Sequence, residues 1–190
     1  MKKIILTALA VIAFGFANAQ ESKAYLGVSV GVAFPGGDLD GLDTGLNLGF
    51  INFGYRFSES WGATANLISS GYSIENTDAA VGVATFSVGP MYTAKLGDKM
   101  SLDLKPQYAL SMVGKTKGAD ELDDATYKGN GFVLGSSLNF GITKGIKFSI
   151  NLDYTAGKFT KEEYAGQTVS IESDNKFNSL ALGAGIRYNF

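Results

Sequence analysis

The residue types that carry out most acid–base and nucleophilic chemistry are missing from this chain, which contains no histidine and no cysteine. Histidine is the side chain that titrates near neutral pH, and hydrolases of the Ser-His or Asp-His kind depend on it. No pair of acidic residues and no Ser-Lys spacing stands out as a substitute, so chemistry by carboxylates or lysine alone is the remaining catalytic alternative. We therefore expect no enzymatic activity and no catalytic residue, cofactor-binding residue or metal ligand.

The charged residues of greatest interest lie inside segments where apolar residues alternate with small or polar ones. Five are basic and two are acidic, and all but Asp153 lie toward the ends of their segments that adjoin short connectors. If they face the inside of a closed sheet, they form a mixed cluster with a net positive charge. Such a cluster either fills the interior with salt bridges or lines a narrow pore with a weak preference for anions. The candidate cluster comprises Arg56, Lys95, Asp103, Lys105, Lys147, Asp153 and Arg187.

Eight segments with a period of two supply the elements that position these charges. An apolar residue at every second position is the pattern of a β-strand with one apolar face. In the last segment, for example, Leu180, Leu182 and Ile186 share one face, and Arg187 lies on the other. The predicted strands are 24–34, 44–57, 61–72, 81–96, 101–113, 131–142, 146–156 and 177–190.

Two of these segments contain an irregularity. In the second, the apolar positions change parity between Phe50 and Ile51, and a β-bulge at this point restores a single apolar face. In the fourth, Pro90 lies within the strand and cannot donate a hydrogen bond to its neighbour. We therefore expect a bulge or a missing ladder bond at Pro90.

The connectors between the predicted strands alternate between short and long. This alternation is typical of an up-and-down barrel with tight turns at one rim and larger loops at the other. The sequence therefore predicts an all-β fold, an eight-stranded antiparallel up-and-down barrel. The short connectors are 58–60, 97–100 and 143–145, and the long ones are 35–43, 73–80, 114–130 and 157–176.

Charge placement indicates which face of the barrel points outward. Only the seven charged residues named above lie in the predicted strands, whereas a soluble barrel needs charge along the exterior of nearly every strand. The large apolar face is therefore expected outside, against lipid, as in a transmembrane barrel. Aromatic residues near the short connectors suit an interfacial girdle. They are Tyr55, Phe57, Trp61, Tyr92, Tyr188 and Phe190.

The N-terminus has the features of an export signal. Two lysines precede an apolar run over residues 4–16, which ends at a small-x-small cleavage site at residues 17–19. The run is shorter than the roughly 20 residues of a membrane-spanning helix. We predict a cleavable signal peptide over residues 1–19 and one barrel domain over residues 20–190. The mature chain would carry 14 basic and 18 acidic residues, a net charge of −4, so nucleic acid is not an expected partner.

The C-terminal strand resembles the targeting signal that the barrel-assembly machinery reads, with Gly185 five positions before the end and aromatic residues at Tyr188 and Phe190. Together with the strand and connector pattern of the whole mature chain, it identifies the sequence as similar to the small eight-stranded bacterial outer-membrane β-barrel proteins of the OmpX, OmpW and OmpA-barrel type. That family prefers a polar residue where this chain has Gly183. The resemblance implies a monomer in the cell outer membrane of a Gram-negative bacterium, surrounded by outer-membrane lipid and inserted by the barrel-assembly machinery.

Three hypotheses for function follow. The first is an integral outer-membrane barrel, structural or porin-like, with a narrow or plugged charged lumen. The second is a surface protein that mediates adhesion or partner binding through its long external loops, because loops on a rigid scaffold often carry function. The third, from a different class, is a soluble periplasmic lipid-binding barrel.

Overall fold

The computed structural model describes residues 23–37, 41–74, 79–117, 125–164 and 167–190. They form eight antiparallel strands in a closed barrel, in which each strand pairs with its neighbours in the chain and the first pairs with the last. The predicted fold is confirmed. The strands are β1 (Ala24–Gly37), β2 (Gly45–Arg56), β3 (Trp61–Ser73), β4 (Ala80–Lys95), β5 (Met100–Lys117), β6 (Ala125–Gly141), β7 (Ile146–Tyr164) and β8 (Gln167–Asn189).

The two faces of the barrel wall differ as the alternation predicts. Successive side chains of a strand point to opposite faces, so the apolar positions share one side. In β6, Phe132 and Leu134 are exposed on the outside, whereas Val133 between them is buried inside. The same holds around the barrel, where large aliphatic and aromatic side chains form an exposed outer belt. This orientation argues against a soluble barrel with a polar outer surface.

The parity change in β2 coincides with a β-bulge. The register between β2 and β3 shifts between Gly49 and Ile51. As a result Phe50 and Ile51, which are neighbours in sequence, are both exposed on the outer face, at 54% and 43%. The predicted bulge is confirmed.

The β4–β5 ladder is interrupted at two prolines. Its pairs run to Val88↔Tyr108 and resume at Tyr92↔Leu104 without a change of register. That register places Pro90 opposite Pro106, and neither residue has an N–H to donate. The missing ladder bonds expected at Pro90 therefore occur at this point of the described chain.

The predicted lengths of the last two long connectors are wrong. Most of residues 114–130 and 157–176 continue the strands, and β7 and β8 are joined across residues 165 and 166. We call the parts of β5 to β8 within 114–117, 125–130, 157–164 and 167–176 the strand extension. The extra length is stabilised by side-chain contacts between strands, such as the tilted ring pair Tyr127–Phe159.

The predicted signal peptide lies outside the described residues and stays a prediction, as does the division into residues 1–19 and 20–190. No helix in the described part of the chain is long and apolar enough to cross a membrane.

Candidate functional site

The lumen near the short-turn rim contains a buried ion pair. Arg187 Nη1 lies 2.5 Å from Asp103 Oδ2, and the two side chains are 7% and 1% exposed. Thr93 Oγ1 donates a hydrogen bond to Asp103 Oδ1 over 2.8 Å, and Asn139 Nδ2 donates to Oδ2 over 3.0 Å. The Arg187 guanidinium carbon lies 4.3 Å from the centre of the Tyr25 ring. The carboxylate thus has a charged partner and further donors, as a buried charge requires.

A second buried charge, Lys105, is held by a short hydrogen-bond chain. Its side chain is 0% exposed. Lys105 Nζ donates to Ser137 Oγ over 2.8 Å, and that hydroxyl donates to Asn151 Oδ1 over 2.7 Å. Asp153 lies on the same side of the lumen, because a Cβ built on Gly135 would be 2.5 Å from Asp153 Oδ1 and 3.3 Å from Lys105 Cε. Here small residues make room for the long lysine side chain inside a narrow barrel.

Toward the opposite rim the lumen is filled by apolar side chains. Tyr72, Met112 and Phe177 are all nearly or fully buried there, and Phe177 lies beside Gly37 at the end of β1. The Tyr72 hydroxyl is 2.7 Å from Ser179 Oγ, which satisfies the one polar group of that ring. We call this layer the apolar plug; it consists of Ala33, Tyr72, Val83, Ala109, Met112, Val133, Phe159, Phe177 and Ala181.

The three remaining members of the predicted charge cluster lie at the short-turn rim. Arg56 and Lys147 are half-buried at the mouth. Lys95 is exposed and pairs with Glu59, Nζ to Oε2, at 3.4 Å. The structure therefore brings Arg187 and Asp103 into direct contact but leaves Lys95 outside the interior.

Two adjoining cavities of about 460 Å³ each open at this rim. Both are lined by Arg56, Lys95 and Lys147. Three further basic residues line these cavities but were not predicted from the sequence. They lie outside the strands, where a lysine is common and gives no sign of a site. The basic side chains that line the two cavities, which we call the basic vestibule, are Lys23, Arg56, Lys95, Lys99, Lys144 and Lys147.

The predicted assembly residues lie on the final strand, β8. Tyr188 is exposed on the outer face and stacks on Phe190, with ring centres 6.3 Å apart. The backbones of Phe190 and Ala24 exchange hydrogen bonds of 2.9 and 3.1 Å, which tie the end of the chain to β1. At Gly185 an added Cβ would overlap the carbonyl oxygen of Val28. The role of Gly185, Tyr188 and Phe190 in assembly stays a prediction.

The aromatic residues near the short turns lie on the outside. Tyr55, Phe57, Trp61 and Tyr92 are all exposed. Trp61 and Tyr92 pack edge to face, with ring centres 5.1 Å apart. Amphipathic rings in a band at one rim are what a membrane–water interface favours.

In the strand extension, charged side chains form an ion pair that is exposed to solvent. Lys128 Nζ lies 2.6 Å from Glu163 Oε2. The hydrogen bond and the charge of Lys128 lower the pKa of Glu163. Burial raises the pKa of Tyr127, and Glu162, which accepts a hydrogen bond from the Tyr127 hydroxyl, raises it further.

Comparison with solved structures places the fold among small outer-membrane barrels. Neisserial surface protein A has a TM-score of 0.64 at 14% identity, over 88% of this chain and 97% of that chain. Ail, the attachment invasion locus protein of Yersinia pestis, has a TM-score of 0.55 at 18% identity, over 88% and 99%. The N-terminal β-barrel domain of Pseudomonas aeruginosa OprF has a TM-score of 0.51 at 10% identity, over 90% and 100%.

Sequence comparison agrees with the architecture. No curated protein sequence matches the chain. The family model described as "Outer membrane protein beta-barrel domain" matches residues 4–190, nearly the whole chain. The exposed apolar belt, the closed sheet and this match locate the protein in the cell outer membrane, in contact with its lipid. The chain belongs to the outer membrane protein beta-barrel domain family.

Proposed function

We propose that this protein is a closed outer-membrane barrel, an embedded anchor that presents the strand extension outside the membrane, and neither an enzyme nor a channel. The observation that carries the proposal is the filling of the lumen. Met112 and Lys105 are both 0% exposed, and they belong to different layers of the interior. A conducting path would have to pass both.

The physical reason lies in the size of the barrel. Eight strands enclose an interior just wide enough for side chains to fill. Here the apolar plug occupies one end and the Asp103–Arg187 pair the other. Opening the polar layer would separate a buried ion pair, and opening the apolar plug would expose Phe177 and its neighbours to water. Both changes are unfavourable.

Planar-bilayer recording tests the closed lumen. Purified, folded protein is expected to give no stepwise conductance, whereas an open porin inserted in the same membrane serves as the positive control. Stepwise currents whose anion preference falls in Lys105→Gln would overturn the proposal in favour of the pore, because Lys105 is a fully buried cation in the polar layer. A matched control is Lys128→Gln in the strand extension, which lies far from the lumen charges.

Partner binding outside the membrane is the second candidate function, and the strand extension favours it. This sheet presents exposed lysines, among them Lys128, Lys158 and Lys161. Replacing residues 160–174 with a short glycine turn cuts the β7–β8 hairpin beyond the pair Phe159↔Asn175 and leaves both Phe159 and Phe177 in the apolar plug. Whole-cell adhesion that is unchanged in this shortened, still folded variant would argue against adhesion through the extension.

We further propose insertion by the barrel-assembly machinery and a monomeric state. The aromatic C-terminus supports the first, because Tyr188 and Phe190 stand where that machinery's signal has its aromatics. The closed sheet supports the second, because it leaves no strand edge to pair in the membrane. The yield of Phe190→Ala in the outer membrane tests insertion by this machinery. The molar mass of the folded protein, measured by light scattering, tests the monomeric state.

A further inference from the structure

The basic vestibule carries more positive charge than its own acidic residues neutralise. Its six basic side chains come from the residue before β1, the ends of β2 and β4, two short turns and the start of β7. Among the described residues, the acids that line the same two cavities are Glu59 and Asp98, so these eight side chains together carry a net charge of +4. No single strand supplies this excess of positive charge, because the basic residues come from several strand ends and turns.

The backbone register forces some of these charges together. Lys147 on β7 pairs directly with Arg187 on β8. Lys147 also lies within electrostatic range of Arg56. Like charges opposite each other on neighbouring strands destabilise a sheet. Among the described residues, the acid whose charge acts on Lys147 is Asp103, which also makes the ion pair with Arg187.

A second strand pair adds to the concentration of charge. The Arg56 amide donates to the Lys23 carbonyl over 2.7 Å, so these two basic residues are fixed side by side at the mouth. Across the mouth, Lys144 lies in the turn before β7 and lines both cavities. Cations from opposite sides of the rim thus line the same two adjoining cavities.

We propose that the basic vestibule binds a small oxyanion of the phosphate class from the periplasmic side. Short turns face the periplasm in outer-membrane barrels. Guanidinium and ammonium groups are the side chains that bind phosphate, the first through paired hydrogen bonds and the second as a point charge. This inference goes beyond the closed barrel, because it assigns a ligand to the space below the filled lumen.

The size and charge of the vestibule define the ligand class. One cavity of about 460 Å³ has the volume of roughly fifteen liquid waters. This is room for a pyrophosphate group or a phosphate monoester, and a ligand with several negative charges matches the net +4 of the walls. The ligand phosphate has two sources: a soluble periplasmic compound or the headgroup of an inner-leaflet lipid at the rim.

Calorimetric titration with inorganic pyrophosphate tests the proposal on the full folded chain in neutral phosphatidylcholine nanodiscs. We expect saturable uptake of about one pyrophosphate per protein. The double variant Lys99→Gln/Lys144→Gln, both exposed turn residues, should weaken binding by about tenfold or more. The control Lys128→Gln/Lys158→Gln removes the same charge from the strand extension and should bind as the wild type does.

Two outcomes overturn the vestibule site: no saturable uptake by the wild type, or an equal loss of affinity in the control and vestibule variants. Adding Lys147→Gln to the vestibule variant should reduce affinity further, and Lys144→Gln alone keeps the test usable if that triple variant misfolds.

Nanodiscs that contain phosphatidylglycerol separate the two sources of the ligand phosphate. Competition by this anionic lipid assigns the site to headgroups, and unchanged affinity assigns it to soluble phosphate compounds. Channel currents in the bilayer assay would overturn only the closed lumen.

Discussion

Removing the carboxylate of Asp103 should be among the most destabilising single changes in the barrel. Asp103 is 1% exposed and faces Arg187 at 2.5 Å. In Asp103→Ala the Arg187 guanidinium stays buried against the Tyr25 ring but loses its anion. Breaking a buried ion pair by deleting one partner costs about 3–5 kcal/mol, mostly because the other charge is left uncompensated. The loss of the hydrogen bonds from Thr93 and Asn139 acts in the same direction.

The same reasoning predicts partial rescue by a second change. Adding Arg187→Met to Asp103→Ala removes the uncompensated charge and replaces it with an apolar side chain. We expect the double variant to recover at least about 1–2 kcal/mol of the loss, because the two residues are in contact and their effects are not additive. A surface control is Asp98→Ala in the exposed turn before β5, which should change stability by less than about 0.5 kcal/mol.

Equilibrium unfolding in urea, in detergent micelles, measures these free energies. The single tryptophan, Trp61, is exposed at the short-turn rim and reports loss of the membrane-like environment. Heat-dependent electrophoretic mobility gives an independent measure of the folded fraction. A loss below about 1 kcal/mol in Asp103→Ala would refute the reasoning. A double variant less stable than Asp103→Ala would refute it as well.

Two further predictions concern the wall and the strand extension. Gly31→Ala should prevent folding, because an added Cβ would overlap the Leu182 carbonyl oxygen. Gly71→Ala should fold, because nothing lies within 4 Å of its Cβ, and electrophoretic mobility distinguishes the folded from the unfolded variant. Because Lys128 lowers the pKa of Glu163, the pair should stabilise the extension above the ordinary glutamate pKa and lose this effect as the pH falls through the lowered value. An NMR titration in which Lys128→Gln leaves the Glu163 midpoint unchanged would contradict this.

The fold could be predicted where the two faces of a strand meet different environments. In β6, Phe132 and Leu134 face outward and Val133 inward, so the alternation is visible in the sequence. The parity change at Phe50–Ile51 predicted a bulge for the same reason, since an uncorrected shift would turn the rest of β2 inside out.

The strand extension could not be predicted because it has no apolar face of comparable size. It carries charged residues such as Lys128 and Glu163 within its strands, and polar residues between aromatic ones resemble a loop in sequence. Its regularity depends on side-chain contacts between paired strands, such as Phe159 of β7 with Phe177 of β8 at 6.0 Å between ring centres. Such contacts exist only once β6, β7 and β8 are paired.

The charge site was predictable only in part, for a similar reason. Asp103 and Arg187 attract attention because charge within an apolar strand is unusual, and they are in fact paired. Lys144 lies in a polar turn, where lysine is ordinary, so its place in the basic vestibule depends on closure of the barrel. Lys95 shows the opposite error: it belongs to a strand by sequence, yet it lies at the rim and pairs with Glu59 in solvent.

Closure of a narrow barrel explains why charge is distributed in layers. The filled interior has no room for bulk water, so a charge within it must be paired or hydrogen-bonded, as Lys105 is through Ser137. Basic residues in excess of the acids are tolerated only where solvent or a counterion reaches them, which is the mouth. Arg56 and Lys147, which lie at the mouth, accordingly line the cavities of the basic vestibule. The proposed closed lumen and the proposed anion site at the mouth thus follow from the same filling of the interior.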